Sequence, residues 1–98
     1  MELKTNKLKT YVGFAIKSKN IKFGTDEILK QKFLHLVIYS SQLQDSSKNK
    51  LTKFATQTNS KLIELEQNEI DLVLNKTQIK AFAITDKGLA DAIKKLYS

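Results

Sequence analysis

Helix-spaced and strand-spaced apolar segments alternate along this 98-residue chain in the order α-β-α-β-α-β-α-β-α, and this predicts an α/β protein with a sheet sandwiched between helix layers. Three observations carry the prediction. The connections between segments are short and contain no proline. The run Phe33-Leu34-His35-Leu36-Val37-Ile38-Tyr39 is almost continuously apolar, as a central strand covered on both faces must be. The length suits a single domain, residues 1–98, and a hydrophobic content of 41% supports one core with two covering layers.

The elements follow in order. Leu8, Tyr11, Val12, Ala15 and Ile16 recur at helical spacing and mark the first helix, with Lys4, Lys7, Lys9, Lys17 and Lys19 off the stripe. Ile21-Lys22-Phe23 is a short strand. Gly24, which lacks a Cβ, allows a sharp turn into a second helix over residues 24–32. Thr25 is suited to capping that helix, and Asp26 and Glu27 sit in its first turn, where the helix dipole favours carboxylates. Lys30 lies about one turn further on. Acids at a helix start with a lysine beyond them are ordinary helix chemistry, so this stretch alone does not make a site. Residues 33–39 form the central strand, and its His35 reads as a packed or hydrogen-bonded histidine with no acid near it in sequence. Asp45 or Ser46 caps a third helix, which buries Leu51, Phe54, Ala55 and Thr58. Residues 61–65 are the third strand. Asn68 caps a short fourth helix that ends at Asn75, a residue suited to a left-handed C-terminus. Lys76-Thr77-Gln78 is a loop and residues 79–84 are the last strand. Thr85 or Asp86 caps a final helix with the apolar face Leu89, Ala92, Ile93, Leu96 and Tyr97.

Composition excludes several classes of function. There is no cysteine, so no disulfide framework, no thiolate nucleophile and no thiolate metal site. The glycines stand alone at 13, 24 and 88, so there is no glycine-rich phosphate loop. No catalytic constellation is visible, and a non-enzymatic protein without metal or cofactor is expected. No apolar run is long enough to span a membrane, and the first residues do not read as a signal peptide, so a cytoplasmic location is the expectation. The net charge is +7, with all 17 basic residues lysine. Residues 1–32 hold eight lysines against three acids, whereas residues 33–98 hold nine against seven. The positive excess therefore gathers in the first third of the chain. Such charge serves nucleic acid, an anionic membrane or solubility, and nucleic acid is the commonest of these for a small folded domain. Without arginine, phosphate attraction is available but bidentate arginine–guanine contacts are not.

The order and spacing of several pieces carry a resemblance that covers almost the whole chain. They are residues 8–15, Gly24-Thr25-Asp26-Glu27-Ile28-Leu29-Lys30, the strand over 34–39, Leu74-Asn75-Lys76, and Ala81-Phe82-Ala83-Ile84-Thr85-Asp86-Lys87-Gly88. Together they resemble the bacterial YlxQ-type branch of the ribosomal protein superfamily that includes the large-subunit proteins seven-Ae and thirty-e. The resemblance implies a three-layer α/β/α sandwich around a four-stranded mixed sheet. It also implies binding of kink-turn RNA, a bent duplex whose sheared G·A pairs leave guanine edges free in a widened groove. RNA is read at such places because a regular A-form major groove is too narrow.

The resemblance assigns the interface. The family's Gly-x-Asn-Glu-x-x-Lys motif maps onto Gly24, Glu27 and Lys30. Glu27 would accept from a guanine N–H, Lys30 would donate to guanine O6 or N7, and backbone N–H groups of the turn, flanked by Lys22 and Thr25, would meet phosphate. Asn75, Lys76, Thr77, Gln78 and Ile79 would pack against a flipped-out base. Two residues depart from the pattern. Asp26 stands in place of asparagine and only accepts, which costs about 1–3 kcal/mol of discrimination where a donor is needed. Asn75 stands in place of glycine, and the loop after it is more polar, which weakens stacking. The expected partner is structured RNA, with the ribosome as a further partner, no membrane, and a monomeric protein. The alternative is a protein-interaction module on the same fold.

Overall fold

The computed structural model describes residues 2–32 and 34–97, with only the backbone described at Glu2 and Leu3. Phe33, the first residue of the expected central strand, lies outside the described residues. Five helices and four strands occur among the described residues: α1 (Glu2–Lys17), β1 (Ile21–Phe23), α2 (Thr25–Leu29), β2 (Leu36–Ser40), α3 (Asp45–Thr58), β3 (Lys61–Leu65), α4 (Gln67–Leu74), β4 (Ala81–Ile84) and α5 (Lys87–Leu96). The sheet order is β1-β4-β2-β3. β4 runs antiparallel to both β1 and β2, and β2 runs parallel to β3, so the sheet is mixed. This is the three-layer sandwich that the alternation predicts.

Strand alternation divides the core in two. Leu36 and Ile38 of β2 join Phe82 and Ile84 of β4 under α1, α4 and α5. Val37 joins Ala81 and Ala83 under α2 and α3. β2 is thus covered on both faces, which explains its apolar run. In β4 the large side chains face one layer and the alanines the other. The small face lets Ile28, fully buried, seat the short α2 against the sheet.

Several ends differ from the sequence reading. α2 stops at Leu29 and does not reach residue 32, because Lys30 and Gln31 N–H close back onto the Glu27 and Ile28 carbonyls. β2 and β4 begin later than expected, at Leu36 and Ala81. The capping expectations at Thr25, Asp45, Ser46 and Asn68 are corrected. The N-cap positions are Gly24, Gln44 and Glu66, and none makes a side-chain cap bond, because the capping-type residues fall inside the first turn. Asp86 does cap α5, accepting from the Leu89 N–H at 2.9 Å. Asn75 takes the expected left-handed conformation, φ 54°.

Candidate nucleic-acid interface

The topology brings two distant segments to one edge of the sheet. β1, β2 and β3 point the same way, so their carboxyl ends share an edge with the start of β4. The turn from β1 into α2 therefore lies beside the loop from α4 into β4. The Gly24 N–H donates to the Ala81 carbonyl at 2.8 Å, and the Lys76 ammonium sits 5.1 Å from the centre of the Phe23 ring. Phe23 and Gly24, at the head of the 22–30 segment, thus meet the 75–79 loop and the start of β4, more than forty positions away. Ligands of open α/β sheets bind at such carboxyl ends.

Gly24 has φ 87° and ψ 149°, a region closed to side-chain-bearing residues. This backbone sends the chain out of β1 and directly into α2, with the Gly24 carbonyl accepting from the Ile28 N–H at 3.1 Å. Thr25 is half-buried; Asp26 and Glu27 project into solvent from the first turn. The Asp26 carboxylate has no partner among the described residues. Glu27 and Lys30 pair with each other at 3.1 Å, with side chains 53% and 70% exposed. A pair this exposed is worth about 0–1 kcal/mol, so a ligand that offers each group a better partner can open it. Lys22, opposite in the strand pleat to the core-packed Ile21 and Phe23, is half-exposed.

The second segment is held at both ends. Asn75 closes α4, and Gln78 takes a second left-handed conformation at φ 68°. Ile79 packs against the core, and its carbonyl accepts from Gln67 Nε2 at 2.8 Å. Gln67 Nε2 also donates to Asp71 Oδ1 at 2.9 Å. Lys76, Thr77 and Gln78 are exposed between these anchors, whereas Ile79 serves as one of them.

The lysine-rich first third does not form one patch. Lys4, Lys7, Lys9 and Lys17 ride on α1, in the layer opposite α2, and Lys17 and Lys19 precede the far end of β1. The cations carried by the two segments and the start of β4 are instead Lys22, Lys30, Lys76 and Lys80, with Asp26 and Glu27 beside them; further along the same edge lie Lys48, Asp45 and Glu66. Clustering along the chain does not become clustering in space, because α1 crosses to the other face. Phe23, Gln67 and Lys80 were not singled out by the sequence reading. An aromatic preceding the turn glycine and a lysine preceding the last strand were visible signals for two of them; Gln67 had none.

Elsewhere, a groove of about 720 Å³ lies between the N-termini of α1 and α4 and is lined by Lys4, Glu66, Glu69, Leu72 and Tyr97 among others. Burial, with the Glu69 carboxylate nearby, pushes the Tyr97 phenol above its ordinary range. Among the described residues no group of three acids or histidines is arranged to hold a metal ion, and no helix is long and apolar enough to cross a membrane.

No protein-family model matches this chain, and no curated protein does. Solved structures do. A protein of unknown function from Bacillus halodurans superposes with a TM-score of 0.82 at 18% identity, over 92% of this chain and 95% of that one. The Giardia lamblia 15.5 kD RNA binding protein superposes with a TM-score of 0.73 at 19% identity, over 98% of this chain and 85% of that one. At such identities the likeness is one of fold, and the chain shares its α/β/α architecture with both.

Proposed function

We infer that this chain is a small, single-domain, non-enzymatic RNA-binding protein that recognises a bent RNA with unpaired guanine edges, a kink-turn or a close relative, in ribosomal or another structured RNA. The observation that carries this reading is the convergence of residues 22–30 and 75–79 on one sheet edge. Glu27 supplies an acceptor for a guanine N–H, Lys30 a donor for O6 or N7, and Lys22, Lys76 and Lys80 attract the flanking phosphates. The Giardia neighbour, an RNA binding protein on the same fold, supports it.

Titration of a kink-turn hairpin and a plain duplex across a range of salt concentrations tests the reading. The bent RNA binds more tightly, its affinity falls as salt rises, and Glu27→Ala or Lys30→Ala weakens it by about 5- to 100-fold. A second reading, a protein-interaction module, is favoured by the acceptor-only Asp26 beside a closed Glu27–Lys30 pair. Equal and weak binding of both RNAs would select it.

A further inference from the structure

We propose that Phe23 is a stacking platform for an unpaired nucleobase, and that Lys76 is its displaceable cover. The proposal rests on the RNA-binding reading and names a contact that the guanine-reading motif does not contain. Phe23 ends β1, an edge strand, directly before the Gly24 turn. It pairs across the sheet with the fully buried Phe82, and it packs against the core while remaining partly exposed, so its orientation is set before any ligand arrives. The group over its ring is the Lys76 ammonium, at 5.1 Å. Lys76 makes no ion pair among the described residues, so the ring is what holds it.

A cation over a partly exposed ring is a weaker partner than a stacked base, and every base has a π-face to offer. Exchange therefore favours the base. It also frees the Lys76 ammonium, beside that base, to meet a phosphate. The exposed part of the 75–79 loop is polar and offers no apolar face, so Phe23 supplies the flat surface that the loop lacks. Other half-exposed aromatics do not serve. Tyr11 and Phe14, the latter 55% exposed, are on α1; Tyr97, under the Lys4 ammonium at 4.8 Å, follows α5 and lines the groove at the α1 and α4 N-termini; and the Tyr39 hydroxyl is bound to Glu64 at 3.1 Å.

The test uses the full chain and a kink-turn hairpin with 2-aminopurine at the unpaired bulge position. Binding by the wild-type chain quenches the fluorescence. Phe23→Leu abolishes the quench and weakens binding about 5- to 100-fold, while Phe23→Tyr retains both. Lys76→Ala keeps the quench and lowers the salt slope by about one. Circular dichroism confirms that each variant folds. Quenching by Phe23→Leu equal to wild type, with binding intact, would overturn the platform and leave the RNA-binding reading standing. Loss of the quench in Phe23→Tyr would also overturn it. A wild-type chain that does not bind the hairpin would overturn both.

Discussion

Gly24 does two jobs with one backbone conformation: it joins the edge strand to the short helix, and it ties the turn to β4 through the Ala81 carbonyl. Space is not the constraint, since a Cβ built there meets nothing within 4 Å. Conformation is: Gly24→Ala should cost about 1–3 kcal/mol, read as a lower denaturant midpoint with an unchanged slope. Asp26 makes the opposite kind of prediction. Its carboxylate is exposed and partnerless among the described residues, so Asp26→Asn should leave the melting temperature nearly unchanged. The same change should raise affinity for a kink-turn hairpin about 5- to 100-fold, because an amide donates where a carboxylate cannot. An unchanged affinity by fluorescence anisotropy would remove Asp26 from the reading surface. Residue types made both positions legible in the sequence. The pairing of Glu27 with Lys30 was legible only as a spacing, and its exposure, which decides its strength, was not.

Among the helices, α5 alone shows a side-chain N-cap bond within the described residues, so Asp86→Ala should cost about 1 kcal/mol in thermal or chemical unfolding. The same helix carries the Lys87–Asp91 pair at 2.8 Å, and this hydrogen bond holds the Asp91 carboxyl below the usual carboxylate range. Between the two pKa values the unfolded chain binds more protons than the folded one. The pair's contribution is therefore present above about pH 4 and is lost as pH falls through the depressed folded value. Acid titration of Asp91→Asn should show a shallower loss of stability over that window than wild type. Apolar period and glycine position made the element order readable, from Leu8 through Tyr97. The ends were less readable. Thr25, Ser46 and Asn68 are cap-type residues that fall one or two positions inside their helices, and propensity cannot distinguish a cap from a first turn.

What no local pattern could reveal is how strand order redistributes the charge. The placement of β4 between β1 and β2 sets residues 22–30 against 75–79, and it sends α1 with its lysines to the opposite layer. Of the basic first third, Lys22 and Lys30 thus lie on the segment at that sheet edge, where Lys76 and Lys80 from the far part of the chain join them. The salt slope for RNA binding should accordingly reflect about three or four phosphate contacts, and not the eight lysines of residues 1–32. Neutralising Lys7 and Lys9 on α1 should change that slope by less than neutralising Lys22 and Lys76. The most direct measurement compares two hairpins of equal length and charge, one with tandem sheared G·A pairs and one with those pairs replaced by Watson–Crick pairs. If the edge reads free guanine atoms, the first binds at least about tenfold more tightly, and Glu27→Ala erases the difference. Equal affinity for the two hairpins would contradict the account.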